Sequence, residues 1–216
     1  MATMGGFRGG GGLDASFLID VYLAGGVQAL STLTAEGRPL FVTPAVLREL
    51  QSFNTTPGVG QAIANWISSN NSVVVVNYED SATRRLAELE QTDPDSVTQE
   101  MRDAVARNAG ERGMLELATG REVEIVEPGR IVLGDAIDRS VLDAAGIADG
   151  SDFVVYTSDR DLTNWMNNST QGTDLDRISS QNGFSSEPVD SRHWIEFLAR
   201  DGGFEPDTIK VWATNL

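Results

Sequence analysis

Cysteine is absent from this chain of 216 residues, and histidine occurs once, at His193. Disulfides, thiolate metal sites and cysteine nucleophiles are therefore excluded, and any bound metal must rely on oxygen ligands or on that one imidazole. No apolar run approaches the roughly 20 residues that a membrane helix needs, and the glycine-rich start has no apolar segment like that of a secretory signal. The sequence thus predicts a soluble, cytoplasmic protein with no membrane partner.

Basic residues are scarce. The chain has 16 Lys and Arg against 32 Asp and Glu, a formal charge of -16, and Lys210 is its only lysine. This charge should repel a nucleic-acid backbone over most of the surface. Salt screens distant charge over roughly 8–10 Å, however, so a local arginine patch can still bind phosphate bidentately. Such a composition also suits a salt-rich cytoplasm, and an acidic cation-binding protein of such a cell is one alternative.

Apolar segments of strand length alternate with segments of helical periodicity along most of the chain. Strands are predicted at 13–19, 40–42, 72–77, 153–156 and 209–213, and helices at 21–33, 43–50, 59–68, 81–89, 96–108, 110–118, 135–145, 161–167 and 193–200. The continuous β-branched run at 72–77 is typical of a central parallel strand. Residues 122–133 indicate a hairpin or an irregular excursion, and residues 168–188 a polar loop.

This alternation predicts an α/β fold: a single three-layer α/β/α domain with a mostly parallel central sheet. We expect that domain to cover residues 13–216. Residues 1–12 are rich in glycine, which maximises chain entropy and buries nothing, so they are predicted to form a flexible lead outside the fold.

Acidic residues fall near the ends of the predicted strands, where open α/β sheets form their ligand sites. Asp14 lies within the first predicted strand, where an unpaired carboxylate is costly unless a cation compensates it. Asp159 follows the fourth strand, Glu49 lies in the helix after the second, and Asp138 begins the helix before the fourth. These four side chains come from distant parts of the chain and are expected to converge at one edge of the sheet.

Each of these acids also has an ordinary structural interpretation. Four of the acids could cap helices, namely Asp135, Asp138, Asp159 and Asp161. Glu49 could pair with its neighbour Arg48 at the exposed end of a helix. In a chain this acidic, any single carboxylate could also be solvated surface.

Four segments carry a family resemblance. They are LDAS at 13–16, TPAVLREL at 43–50, DRSVLDAA at 138–145 and TSDRDL at 157–162. Together they resemble, in the same order, the motifs of the PIN-domain nucleases, and the resemblance spans roughly residues 13–213. It implies a PIN-like fold and a metal-dependent endoribonuclease that uses Mg²⁺ or Mn²⁺ to hydrolyse RNA.

The resemblance also implies a set of site residues. Asp14, Glu49, Asp138 and Asp159 would be the catalytic metal ligands, and Asp161 or Asp135 could join them. The segment GERGMLELA at 110–118 looks like the helix from which some relatives supply their third acidic ligand. Two helices therefore compete for one role; the helix of Asp138 is favoured because it directly precedes the strand that carries Asp159, and Glu111 is kept as an additional ligand.

Substrate contacts are expected from residues beside these acids, namely Ser16, Thr157, Arg48 and Arg160, with Arg112 and Arg139 as further candidates. Many relatives are the toxin of a toxin–antitoxin pair, so an antitoxin protein and a homodimer are the partners to test besides RNA. Two alternatives stay within the fold. One is a nuclease acting on DNA flaps or in RNA maturation, and the other is a catalytically inactive module that binds protein or RNA.

Overall fold

The computed structural model of the chain describes residues 11–35, 37, 39–126, 130–144, 153–160, 162 and 186–201. Its strands are β1 Gly11–Leu13, β2 Leu40–Val42, β3 Val73–Val75, β4 Arg121–Val126, β5 Arg130–Ala136, β6 Phe153–Tyr156 and β7 Ser186–Val189. Its helices are α1 Ala15–Leu33, α2 Pro44–Ser52, α3 Val59–Ser69, α4 Ser81–Thr92, α5 Gln99–Arg107, α6 Ala109–Thr119, α7 Arg139–Ala144 and α8 Ser191–Asp201. The predicted helix at 161–167 and strand at 209–213 lie outside the described residues, except for Leu162.

The main sheet has five strands in the order β3-β2-β1-β6-β7, and every neighbouring pair is parallel. Helices flank this sheet, so the α/β prediction is confirmed. From β1 the chain builds outward to β2 and β3 on one side, and it later returns to place β6 and β7 on the other. The order therefore reverses between β1 and β6, and such a switch point is where open parallel sheets form a crevice for ligands.

The start of the fold differs from the prediction. Gly11 and Gly12 belong to β1, so the expected lead extends too far, and the run 13–19 is mostly helix instead of strand. Asp14 therefore lies directly after the strand, at the N-cap of α1. The run of buried side chains that reads as a strand also fits one face of a helix, because Phe17, Leu18 and Val21 recur at helical spacing.

Two local signals in the sequence produce the second helix as predicted. The Thr43 side chain accepts a hydrogen bond from the Val46 amide at 3.4 Å, and Pro44 occupies the first turn, where its missing N–H costs nothing. A β-carbon at Gly60 would lie 1.8 Å from the Leu50 carbonyl oxygen, so glycine permits α3 to pack directly on α2. This contact fixes the helix that carries Glu49.

The predicted central strand at 72–77 is at the edge of the sheet, where β3 pairs only with β2 among the described strands. Val74 and Val75 are 44% and 46% exposed. At the opposite edge, β7 was predicted as part of a loop. It contains Pro188, which an edge strand tolerates because one side of its backbone needs no donor.

Two excursions leave the main sheet. Helices α4 and α5, joined through a 3₁₀ turn at Pro94–Ser96, pack on each other and form an arm with many charged residues. The antiparallel β4–β5 pair confirms the predicted hairpin and packs on α6. Asp135, expected to be helical, lies in β5, and the helix begins only at Arg139.

Helix α1 is long and apolar enough, by length and composition alone, to cross a membrane. The core helix of a soluble protein passes the same test. Here Phe17, Leu18, Val21 and Leu30 are fully buried among side chains from β1, β2, α3 and β6. The packing thus gives a reason for this apolar composition within the fold, and the cytoplasmic location stays a prediction.

Candidate functional site

The carboxyl ends of β1 and β6 meet at the switch point of the sheet. Asp14 follows β1 directly, and its amide donates to the Tyr156 carbonyl oxygen at 2.9 Å, which extends the ladder between the two strands. Asp159 lies three residues beyond the end of β6. Two acids that the sequence separates widely are therefore placed at one point of the fold by strand pairing alone.

Asp14 is buried, with 4% of its surface exposed. Its Oδ2 accepts hydrogen bonds from the Ser16 hydroxyl at 2.5 Å and the Thr157 hydroxyl at 3.1 Å. Burial raises the pKa of Asp14, because the charged form loses its hydration; the hydroxyls oppose this shift, and the charge of Asp159 adds to it. Ser16 and Thr157, predicted to contact substrate, thus orient the Asp14 carboxylate.

The loop after β6 is held by bonds that run back to the same point. The Ser158 amide donates to Ser16 Oγ at 3.1 Å, and the Asp159 amide donates to Thr157 Oγ1 at 3.0 Å. Asp159 Oδ1 also accepts from the Leu162 amide at 2.9 Å, so the capping interpretation holds for one of its oxygens. The Ser158 hydroxyl is buried without a hydrogen-bond partner in the described structure.

Glu49 reaches this region from α2. Its carboxylate lies against α6 at Gly110, where a β-carbon would come within 2.5 Å of Oε1, so only glycine leaves room for it. The residue as a whole stays exposed, but dehydration of the carboxylate raises its pKa to about 8, and the charges of Asp14, Glu111 and Asp159 add to the shift. Arg48 lowers it less. Glu49 therefore belongs electrostatically with the acids of the switch point.

Glu111 enters from the first turn of α6. Dehydration raises its pKa to about 7; its own backbone amide opposes the shift, and the charges of Asp14 and Asp159 contribute to it. Its Oε2 is buried and has no hydrogen-bond partner in the described structure. Such an atom costs free energy unless a donor or a cation satisfies it. We call Asp14, Glu49, Glu111 and Asp159 the acid cluster.

The two arginines that offset this charge are each held by another carboxylate. Arg48 makes a two-point ion pair with Glu79, both N–O distances being 2.8 Å. Arg112 is buried and places Nε 2.7 Å from Asp80 Oδ1. The alternative in which Glu49 pairs with Arg48 is therefore not seen, since Arg48 pairs with Glu79. The buried Arg112 is not placed to meet substrate.

A second set of acids lies on the other side of α6 and is fully satisfied. Glu116 is completely buried and accepts from the Tyr78 hydroxyl at 2.6 Å, the Ser81 amide and hydroxyl, and the Val123 amide at 3.1 Å. The neighbouring Asp80 caps α4 and pairs with Arg112. We call this set the closed network; it joins α4, α6 and β4 and leaves its carboxylates no need of a metal.

The remaining predicted residues lie elsewhere. Asp138 is exposed, and its pKa is lowered because the Ser140 backbone amide donates to it at 2.8 Å, as expected of a helix cap. None of the described carboxylates of the acid cluster contributes to that shift. Arg139 pairs with Asp143, Arg160 is exposed, and Asp161 lies outside the described residues. The charge of Asp14 thus acts on Glu111 and not on Asp138.

The acid cluster is electrostatically coupled but is not a ready-made cage. Among the described residues, no three His, Asp or Glu side chains converge closely enough to hold an ion as they stand. Carboxylates that repel one another without a counter-ion are expected to turn apart. The sequence signal for the close approach at Gly110 is a glycine directly before an acid in the first turn of a helix.

Comparison with protein-family models, curated proteins and solved structures finds no match to this chain. The resemblance to the PIN-domain nucleases therefore rests on the four sequence motifs, and the acids of three of them, Asp14, Glu49 and Asp159, belong to the acid cluster.

Proposed function

We propose that the protein is a PIN-like, metal-dependent nuclease that hydrolyses phosphodiester bonds of RNA at the acid cluster. The observation that carries the proposal is that carboxylates without a counter-ion of their own lie together with a buried carboxylate oxygen that has no hydrogen-bond donor. Asp14, Glu49 and Glu111 all have raised pKa values there, and Glu111 Oε2 is buried without a donor. The position is also the switch point of a parallel sheet, where active sites of such folds are found.

The donor set fits a hard divalent cation. Mg²⁺ and Mn²⁺ bind carboxylate oxygens, and Mg²⁺ usually retains several waters, so it needs only one or two direct carboxylates. Asp14 and Glu111 would hold it, with Glu49 and Asp159 completing the ring directly or through water. A bound divalent cation lowers the pKa of water and stabilises charge on the attacking and leaving oxygens of an in-line displacement at phosphorus.

The protein's own residues do the positioning. Ser16 and Thr157 fix one oxygen of Asp14, so this carboxylate does not have to be ordered when an ion or a phosphate arrives. Gly110 lets the Glu49 carboxylate approach the first turn of α6. In the hydrolysis, a water oxygen would bond to phosphorus and lose a proton to solvent, while the bond from phosphorus to the leaving oxygen breaks and that oxygen takes up a proton from solvent.

A mixed RNA pool should be incubated with the purified protein in Mn²⁺, in Mg²⁺ and in EDTA. We expect cleavage that needs metal, that Asp14→Asn and Asp159→Asn abolish, and that Glu124→Gln, which removes an exposed carboxylate on β4, leaves intact. Circular dichroism checks that each variant is folded. Cleavage that persists in EDTA, or in Asp14→Asn, would contradict the proposal.

Two observations favour a second candidate, a catalytically inactive PIN-like module. The described acids do not converge into a preformed ion site, and the net charge of -16 opposes binding of a nucleic-acid backbone. Such a module would bind no Mn²⁺ and cut neither RNA nor DNA, while a partner protein would still bind. Calorimetric titration with Mn²⁺ separates the two candidates before any substrate is chosen.

A further inference from the structure

A cleft of about 480 Å³ lies between α2 and the arm formed by α4 and α5, with the start of α6 at its base. Its apolar walls are made of small and medium side chains, namely Ala45, Leu86, Val105, Ala106 and Ala109. The volume falls within the roughly 300–1,000 Å³ typical of small-ligand sites. Because three of these five side chains are alanines, the walls leave space for a flat group.

The cleft is continuous with the acid cluster through Glu49. This residue lines the cleft. The charges of Asp14, Glu111 and Asp159 also raise the pKa of its carboxyl group. A ligand whose phosphate lies at the acid cluster would therefore have its next group beside Glu49, which also lines the cleft. The acid cluster and the cleft would then bind two neighbouring parts of one ligand.

Two arginines line the same cleft. Arg48 and Arg102 are each held by an acid: Arg48 by Glu79 through two bonds of 2.8 Å, and Arg102 by Glu90 through its Nε at 2.7 Å. A guanidinium has five N–H donors, so these bonds leave further donors on each residue. Arginines held in this way can meet a phosphate or stack on a base with little loss of side-chain entropy.

We propose that this cleft binds one nucleotide of a single-stranded RNA, the one next to the scissile phosphate, with its base against the alanine walls and its phosphate at Arg48 and Arg102. The inference rests on the proposed function and adds a substrate subsite to it. A flat ligand with a phosphate suits the cleft, because the walls are apolar and each guanidinium keeps N–H donors beyond those bonded to Glu79 and Glu90. The Glu49 carboxylate also lines the cleft, so the phosphate is expected on the side of the two arginines. A base can enter only when it is unstacked, which favours single strands over duplex.

Two substitutions on α5 test the subsite. Ala106→Phe fills the cleft, whereas Ala104→Phe adds the same ring to an exposed position of the same helix that does not line it. Binding of labelled oligoadenylate, oligouridylate and oligocytidylate is measured by fluorescence anisotropy in the Asp14→Asn background, so that no RNA is cut. We expect Ala106→Phe to weaken binding about tenfold and to change the preference among the three bases, as loss of one bound base would. Ala104→Phe should change neither.

Arginine variants give an independent check. Arg102→Gln removes a charge from the cleft, and Arg107→Gln removes one from the same helix outside it. We expect only Arg102→Gln to weaken RNA binding and to reduce its salt dependence. Equal losses from both variants would reduce the effect to general charge and overturn the subsite.

Hydrolysis of bis(p-nitrophenyl) phosphate with Mn²⁺ separates the two proposals, since this small diester does not need a nucleotide subsite. If the wild type hydrolyses the diester and the two phenylalanine variants bind RNA equally, the subsite is overturned and the nuclease proposal is kept. A loss of RNA binding specific to Ala106→Phe without any hydrolysis would support the subsite and count against the nuclease. No RNA binding by the Asp14→Asn parent would overturn the subsite.

Discussion

Glu111 and Glu116 lie less than two turns apart on α6, yet their surroundings are opposite. Glu116 is fully buried and receives hydrogen bonds from Tyr78, Ser81 and Val123. Glu111 has one buried oxygen with no partner in the described structure, and the charges of Asp14 and Asp159 raise its pKa further. A protein can bury a carboxylate in either way, but only the second leaves a place for an external cation.

The difference extends to the two groups of acids. In the closed network, Asp80 has Arg112 as a buried counter-ion and Glu116 has four donor groups, so charge and hydrogen bonding are satisfied within the chain. In the acid cluster, hydroxyls satisfy only part of Asp14, and the nearby arginines are paired elsewhere. We infer that the closed network holds the helix in place and that the acid cluster is kept for a ligand.

The largest effect should come from breaking the closed network. Glu116→Ala would leave the Tyr78 hydroxyl, the Ser81 amide and hydroxyl, and the Val123 amide without their acceptor. We expect it to lower the free energy of unfolding by about 3–5 kcal/mol, measured by urea denaturation. Glu111→Gln, on the same helix, should not destabilise the protein. If both variants lose a similar amount of unfolding free energy, the two glutamates do not differ in their structural role.

Gly110→Ala should separate function from stability. The added β-carbon would displace the Glu49 carboxylate, which is the far end of a flexible side chain, and alanine suits a helix better than glycine does. We expect Mn²⁺ affinity to fall about tenfold, while the free energy of unfolding changes by less than about 1 kcal/mol. In Gly113→Ala the new β-carbon meets only the Thr43 side chain, at 3.7 Å, so its Mn²⁺ affinity should match the wild type. Equal affinities in all three proteins would contradict the role of Gly110.

The stability of the metal-free protein should depend on pH through Glu111. The pKa of Glu111 is raised to about 7 in the folded protein, against about 4.5 when unfolded, so the folded state binds the proton more tightly. Without metal, stability from this group is fully present below about pH 4.5 and is lost as the pH rises through about 7. Glu111→Gln should therefore be more stable than the wild type by about 1 kcal/mol near pH 8 in EDTA, and equal to it near pH 4. Thermal unfolding at both pH values checks this, and a variant that is less stable at the higher pH would contradict it.

The smallest effect is expected at Asp138, which the sequence favoured as the third acid. Since this side chain is exposed and caps α7, Asp138→Ala should leave Mn²⁺ affinity and RNA cleavage unchanged within error. Glu111→Gln should reduce both. The opposite ranking would restore the sequence-based choice and show that α7 moves when metal binds.

The sequence predicted much of the fold because its signals were local. Thr43-Pro44 marked the start of α2, and the β-branched run at 72–77 marked a strand. The sequence did not predict where each strand lies within the sheet. A run of valines shows that β3 is a strand but not that it lies at an edge of the sheet. Strand β7 was missed because it contains Pro188, which is unfavourable in most strands. Both depend on which strands pair, and pairing is not local.

The candidate site shows the same limit. The motifs around Asp14, Glu49 and Asp159 located three of the four clustered acids, because these residues adjoin strands or caps that local sequence defines. The choice between Asp138 and Glu111 depended on which helix packs beside β6, and α6 makes that contact. Similarly, the roles of Arg48 and Arg112 depended on Glu79 and Asp80, acids that no motif includes.

The most direct test of the difference between the acid cluster and the closed network is a calorimetric titration with Mn²⁺. It compares the wild type, Glu111→Gln and Glu116→Gln, each shown by circular dichroism to be folded. Glutamine at position 116 keeps an oxygen that can accept from Ser81 and Val123, so the fold should survive. The account predicts that the wild type and Glu116→Gln bind Mn²⁺ and that Glu111→Gln loses most of the affinity. Binding that is absent in the wild type, or unchanged in Glu111→Gln, would contradict it.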